Sequence, residues 1–298
     1  VIGALSSLSD TQRHRHALIV GASSRVGIAL RSSLTARSWR VTGTDRRQAS
    51  PTDLCLDLAH LPRLTCLPSD IDVVFLLAGV TSIAACEANP SDTDIINVQA
   101  PAEIARHYAS IGVRAVMVST NLVFDGNVEN ASQTAPYAPS CVYGRQKVAL
   151  EQILLSLSPQ CAVLRVTKIA ETLAPLLMGW KAALANHQRV NAFQDLHCCP
   201  LRLADAVACL VAVAETELAG IVHCSGERDV NYLNIALRLA DYLGVTSELV
   251  IGSTSHEAGV TITAPRHTRL DMTGFCDRFG FMPLDTDATL AAVFAGIP

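Results

Sequence analysis

What this chain lacks narrows its function before any motif is read. No apolar run approaches the length of a membrane-spanning helix. The opening Val1-Ile2-Gly3-Ala4-Leu5 is too short for the apolar region of a secretory signal, and no basic residue precedes it. Residues 1–16 therefore read as a flexible lead-in. The 10 cysteines are scattered and none forms a C-x-x-C pair, which argues against a disulfide scaffold and for a reducing, cytoplasmic setting. Cys161, Cys209 and Cys224 sit inside apolar runs, where a free thiol packs as a small hydrophobe. His197-Cys198-Cys199 is the one local cluster of metal-ligand types. Adjacent residues of a strand point to opposite faces, so no metal site is expected there. Lysine and arginine are dispersed in a chain of net charge −4, which disfavours a nucleic-acid surface. No G-x-S-x-G elbow follows the first strand, so serine-hydrolase chemistry is not indicated. No internal repeat or low-complexity linker divides the chain.

What is present is apolar sequence in regular blocks. Half of the 298 residues are hydrophobic, enough for a two-lobed unit or two modest domains. Strand-like runs occur at Ala17 to Val20, Arg40 to Asp45, Leu54 to Leu58, Val73 to Leu77, Val113 to Ser119 and Cys161 to Val166. Helical spacing fills most of the intervals, including a long segment from Asp92 to Ser110. Continuous apolar strands alternating with helices predict an α/β fold, a Rossmann-type doubly wound parallel sheet covered on both faces. Beyond residue 170 the pattern is less regular, with helices at Pro175 to Ala185, Leu203 to Ala214 and Asn231 to Leu243 around a strand at Gly220 to Cys224. This predicts a dinucleotide-binding domain over 17–170 and a smaller, mainly C-terminal α/β lobe over 171–298 that binds substrate. Residues of about 200–226 return to the first domain. Ligands of such sheets lie at the strands' carboxyl ends.

Gly21-Ala22-Ser23-Ser24-Arg25-Val26-Gly27 joins the first strand to the first helix. A tight turn there aims backbone N–H groups and the helix N-terminus at a pyrophosphate. Gly21 supplies the turn and Gly27 lets the helix pack closely, while Ser24 stands where a glycine is usual. Asp45, ending the second strand, suits the adenosine ribose of NAD; Arg46 and Arg47 could instead pair with the 2′-phosphate of NADP, so NAD or NADP stays open. Asp57 and Leu58 end the third strand near the adenine position, and Ala78-Gly79 offers small residues against the cofactor. Pro101 cannot donate to the carbonyl of Asn97, freeing it for a water or simply kinking the helix.

Tyr143 and Lys147 lie one helical turn apart and so share a face. A phenol with an ammonium beside it is expected to have its pKa drawn down toward working pH. Thr120, at the end of the preceding strand, can hold the oxygen that receives the proton.

Together these segments resemble the extended short-chain dehydrogenase/reductase family, and within it the dTDP-4-dehydrorhamnose reductase group. Ser119-Thr120-Asn121-Leu122-Val123-Phe124-Asp125-Gly126 is similar to that group's S-T-D-Y-V-F-D-G, and Val142-Tyr143-Gly144-Arg145-Gln146-Lys147 to its V-Y-G-x-x-K. Asn97-Val98, Leu164-Arg165, Asp195, Pro200 and Asp205 extend the likeness, which spans about residues 17 to 295 and loosens beyond 210. The resemblance implies hydride delivery from NAD(P)H to a ketone, with Tyr143 as proton donor, Thr120 holding the oxygen and Lys147 on the nicotinamide ribose. It implies a nucleotide-sugar substrate touching Thr81, Asn121, Phe193, His197, Arg202 and Arg266, with Arg269 as a further guanidinium. A homodimer is a further expectation. Ala84, Asn121 and Ala264 depart from the group's pattern around the sugar pocket. Two other readings stay open: an NAD-dependent sugar-nucleotide epimerase, and a non-catalytic nucleotide-binding regulatory subunit. Dehydration is disfavoured, because no Asp-Glu pair follows Thr120.

Overall fold

The structure, a computed structural model, describes residues 15–46, 53–60, 64–259 and 265–298. Most of the lead-in, Arg47 and Ala264 lie outside these residues. In chain order the elements are β1 (His16–Val20), α1 (Arg25–Thr35), β2 (Arg40–Asp45), β3 (Leu54–Cys55), β4 (Val73–Leu76), α2 (Ile83–Ala88), α3 (Pro90–Asp94), a π-helical turn (Ile95–Gln99) and α4 (Ala100–Ser110). There follow β5 (Arg114–Thr120), α5 (Val142–Leu157), β6 (Ala162–Val166), β7 (Lys168–Ile169), α6 (Ala174–Ala185), β8 (Val190–Phe193), β9 (His197–Cys198), β10 (Pro200–Leu201) and α7 (Leu203–Glu215). The chain ends with β11 (Gly220–Cys224), β12 (Val230–Asn231), α8 (Tyr232–Tyr242), β13 (Val250–Ser253), α9 (Thr273–Phe279) and α10 (Thr286–Gly296).

Seven strands form one parallel sheet in the order β11-β6-β5-β4-β1-β2-β3. The order reverses between β1 and β4, the switch point where such sheets open a crevice at their carboxyl ends. Alternate residues of each strand serve opposite faces. Ala17, Ile19, Val73, Phe75, Val116, Ala162 and Leu164 pack with Leu30, Leu34, Val207 and Leu210 of α1 and α7. Leu18, Val20, Val74, Leu76, Met117 and Val163 pack with Ile104, Tyr108, Leu150 and Leu154 of α4 and α5. Double burial explains why these strands read as continuous apolar runs rather than alternating ones. A third core joins Leu177, Trp180 and Leu184 of α6 to Ile235 and Leu239 of α8 and to Leu290 and Phe294 of α10. Short pairs tie this lobe together: β7 with β10, β8 with β13, and β9 with β12.

Some boundaries differ from the sequence reading. β1 starts at His16, which is buried and accepts no role in a lead-in: its backbone N–H donates to Asp72 and its ring contacts the Asp70 carbonyl and Thr42. β3 closes at Cys55 rather than Leu58. The helical segment across Asn97 is broken by the π-helical turn, where the amide of Ala100 reaches the carbonyl of Ile95. Pro101 has no N–H to continue an α-helical ladder through this point. Among the described residues no helix is long and apolar enough to cross a membrane.

Candidate active site

The glycine turn is shaped by close contacts. Gly21 has a φ of 92°, and a Cβ there would lie 2.7 Å from the Ala78 nitrogen. A Cβ on Gly27 would lie 2.4 Å from the Gly21 carbonyl oxygen. Glycine is thus required where α1 meets the ends of β1 and β4. Ser24 has its own reason to replace a glycine: it is the N-cap of α1, and its Oγ accepts from the Gly27 N–H at 3.0 Å. The other amides of the first turn have no intrahelical acceptor and suit an anion.

The second wall comes from β5 and α5. Thr120 ends β5, and its Oγ1 accepts from the Leu122 N–H at 3.2 Å while donating to Asn121 Oδ1 at a long 3.5 Å. Across the loop, Cys141 caps α5 through Sγ on the Gly144 N–H at 3.3 Å. Glu87 accepts from the Val142 N–H at 2.7 Å, a carboxylate at a helix N-terminus. This double anchor presents Tyr143 and Lys147 on one face, with Lys147 Nζ 5.8 Å from the Tyr143 ring centroid. Both residues are buried. Lys147 Nζ donates to the Val118 carbonyl at 3.0 Å.

The electrostatics correct one expectation. The Tyr143 phenol is not drawn down; burial pushes it well above its ordinary value, and the neighbouring Cys86 and Cys141 add to the rise. The ammonium lies over the ring and bonds a carbonyl, so desolvation of the phenolate dominates. Burial lowers Lys147 to about 8, against an opposing pull from Glu151 and a smaller one from Cys86.

These walls enclose a cavity of about 600 Å³ at the sheet's carboxyl edge. It gathers Ser24, Arg25, Val26, Ala78, Gly79, Thr81, Thr120, Asn121, Tyr143, Lys147 and His197 from the residues singled out in the sequence. Its described lining holds Arg25, Lys147 and Lys168 and no Asp or Glu. A cationic lining in a chain of net charge −4 is suited to a polyanion.

A family model described as the RmlD substrate binding domain matches residues 15–297. The chain belongs to that family. It is similar to the dTDP-4-dehydrorhamnose reductase of Mycobacterium tuberculosis, 30% identical over 188 residues, which are 60% of this chain and 62% of that protein. It is similar to the methionine adenosyltransferase 2 subunit beta of Xenopus laevis at 28% identity over 86% of this chain and 80% of that one. Among solved structures, a dTDP-4-dehydrorhamnose reductase of Bacillus anthracis in complex with NADP aligns with a TM-score of 0.81 at 18% identity, over 95% of this chain and 99% of that one. At such identity the likeness is one of fold.

Other residues named from the sequence stand elsewhere in this RmlD-type chain. Gly21 and Gly27 shape the turn without lining the cavity, and Ser23 is exposed beside it. Asp45 ends β2 half-buried, with Arg46 exposed after it, away from the cavity lining. Asp57 accepts from the Ala59 N–H at 3.0 Å and contacts His60, and that backbone bond leads the lowering of its pKa. Leu58 is a core residue. Asn97 works through its side chain: Oδ1 accepts from the Val80 N–H at 2.7 Å, and Nδ2 donates to the Val80 carbonyl at 3.0 Å and to Gln146 Oε1 at 2.8 Å. It therefore braces the Gly79-Val80 wall from behind.

In the lobe, Phe193 pairs with Ser253 across β8 and β13, outside the cavity lining. Arg202 is taken up by Asp205 through bonds of 2.8 and 2.6 Å. Arg266 is exposed, and its neighbours Pro265 and Thr268 line the cavity instead. Sequence reasoning missed Lys168, Tyr232 and Thr268, all on the lining. Lys168 had a usable signal: the chain contains three lysines, and this one falls two residues after β6. Among the described residues, no group of three or more His, Cys, Asp or Glu side chains gathers as a metal site.

Proposed function

We propose that this chain is an NAD(P)H-dependent reductase of a nucleotide-linked keto sugar. The observation that carries the reading is the meeting of Thr120, Tyr143 and Lys147 on one wall of a cavity that begins at the α1 N-terminus and contains cations but no acid among its described lining residues. The cavity chemistry fits a dinucleotide. Gly21, Ser24, Arg25, Val26 and Gly27 would hold its pyrophosphate, Ala78 and Gly79 would face it, and Lys147 would reach its nicotinamide ribose. The end of β2, Asp45 followed by Arg46, suits the adenosine end of either NAD or NADP. Residues 17–170 are read as the cofactor domain and 171–298 as mainly the substrate lobe, with 200–226 returning to the sheet through α7 and β11.

A bound nicotinamide supplies hydride to a carbonyl carbon. The chain's own task is the oxygen. Thr120 Oγ1, whose bond to Asn121 is long, is free to turn its O–H toward that oxygen. Tyr143 then gives its proton to the developing alkoxide, a much stronger base than a phenolate. The raised phenol suits this direction: Tyr143 stays protonated at working pH and serves as a donor rather than as a base. Lys147 stabilises the phenolate left behind while its ammonium persists, up to about pH 8.

The test is NADPH consumption with a dTDP-4-keto-6-deoxy sugar. Stoichiometric loss of NADPH is expected, slowing as pH rises through about 8 as Lys147 loses its proton. Tyr143→Phe should lose about 10²–10⁴ in turnover while keeping NADPH affinity. Full turnover in that variant would remove the mechanism. The Xenopus relative named as a methionine adenosyltransferase subunit supports a second reading, a nucleotide-binding partner subunit. NADPH binding with no turnover of any nucleotide-linked keto sugar would favour it, and turnover without net NADPH loss would favour an epimerase.

A further inference from the structure

We propose that Glu151 is a positioning residue for the reaction: one turn below Lys147 on α5, it keeps the ammonium charged and braces the strand end that carries Thr120. The inference rests on the role given to Lys147 above.

Tyr143, Lys147 and Glu151 follow one another at four-residue spacing, so a single helix face carries all three. Glu151 is completely buried, and every one of its partners is a donor. Ser119 Oγ, the residue before Thr120, donates to Oε1. Tyr137 O–H donates to Oε2 at 2.8 Å. Arg165 donates through Nε to both oxygens at 3.1 Å and through Nη2 to Oε2 at 2.8 Å. The guanidinium lies 5.0 Å from the ring centroids of both Phe124 and Tyr137. The carboxylate is thus fixed in place, and through Ser119 it is coupled to the end of β5.

Charge counting gives the arrangement a purpose. Among the described residues Lys147 bonds only the neutral Val118 carbonyl, which offsets little of the cost of burying an ammonium. The groups facing it are Tyr143 and Glu151 from its own helix, Cys86 from α2 and the Val118 carbonyl from β5. Beyond Glu151 stand Arg165 of β6 and His223 of β11, which meet at 3.4 Å. His223 Nδ1 lies 3.0 Å from the Asp271 carbonyl, which can only accept, and Nε2 faces a guanidinium, which can only donate. His223 is therefore neutral, and Arg165 already pairs with Glu151. Glu151 is the one carboxylate in the set, and it is the leading influence raising Lys147 against desolvation. A buried ion pair by itself gains little over an apolar replacement. Its contribution here is the field it places under Lys147.

The test reads Lys147 directly. The three lysines, Lys147, Lys168 and Lys181, give three resolvable side-chain signals in isotope-labelled protein, and Lys147→Met assigns the one of interest. Titration of wild-type protein by nuclear magnetic resonance should place Lys147 near 8. In Glu151→Gln the midpoint should fall by about one pH unit or more. Because that change strands Arg165, Glu151→Asp provides the second arm: it keeps the charge, withdraws it by one methylene and should lower the midpoint by less. A Lys147 midpoint equal to wild type in folded Glu151→Gln, or a fall in Glu151→Asp as large as in Glu151→Gln, overturns the proposal. That outcome involves no substrate, so it is distinct from failure of the reductase reading, which turnover in Tyr143→Phe decides.

Discussion

At the scale of single residues, the site depends on groups that the fold places against their ordinary chemistry. Ser24 shows how a departure from a glycine motif is absorbed: the hydroxyl that replaces the glycine caps the helix. Lys168 is a lining residue that the sequence reading passed over. It lines the cavity, forms no hydrogen bond or ion pair with the described residues, and exerts a lowering pull on the otherwise raised Cys198 thiol. A phosphate of the substrate would be its natural partner. Lys168→Ala should weaken UDP or dTDP binding by about tenfold, the value of one charge-assisted hydrogen bond, and leave NADPH affinity unchanged. Calorimetric titration of both ligands checks this; equal loss for NADPH would mean that Lys168 serves the cofactor. By contrast, Arg266→Ala should change neither, because Arg266 stands outside the cavity lining.

At the scale of elements, the π-helical turn before α4 does work that a regular helix could not. It carries the buried Asn97 side chain to the Gly79-Val80 segment on one side and to Gln146 of α5 on the other. Gln146 continues the chain to the Pro90 carbonyl at 3.1 Å and Thr93 Oγ1 at 2.9 Å. The Gly79-Val80 wall of the cavity is thereby locked to the helix that presents Tyr143. Asn97→Ala would leave Val80 and Gln146 polar groups unpaired in a buried setting. The expected loss is about 2 kcal/mol or more of folding stability, with weaker NADPH binding. Denaturant unfolding and NADPH titration measure the two. A variant as stable as wild type would show that water replaces the side chain without cost. The sequence pointed to Asn97 through Pro101 and its backbone carbonyl. The side chain proved to be the working part, because only the packed structure brings Val80 and Gln146 to it.

At the scale of the whole molecule, the buried cluster of Glu151, Arg165 and His223 links α5, β6 and β11, so the strand added late in the chain is tied to the helix that carries Tyr143 and Lys147. Its pH dependence is predictable in sign. Burial, with Arg165 adding to it, lowers His223 from 6.5 to about 4. Between these values the unfolded chain takes up a proton that the folded chain refuses, so stability falls as pH drops from about 6.5 toward 4. The full effect is about 3 kcal/mol. Unfolding midpoints measured across this range should fall in wild-type protein, and His223→Gln should flatten that part of the curve. An unchanged slope would assign the acid sensitivity to other groups.

The sequence by itself determined the parts that depend on neighbours along the chain. The strand-turn-helix at Gly21 to Gly27, the Tyr143 and Lys147 face and the doubly buried strands were all legible, because steric demand and helical or extended spacing are local properties. Glu151 stands at the next four-residue step and was passed over, because the donors that surround its carboxylate, Ser119, Tyr137 and Arg165, come from other segments. Only the tertiary structure decided which residues of the lobe reach the cavity. Lys168, Tyr232 and Thr268 do; Phe193, Arg202 and Arg266 do not. Strand pairing and ion pairing between distant segments settle this, as when Asp205 takes Arg202. The tertiary structure also reversed the expected shift of Tyr143. A charge at four-residue spacing can be read from a sequence, but the water removed from around a phenol cannot, and here desolvation is the larger influence.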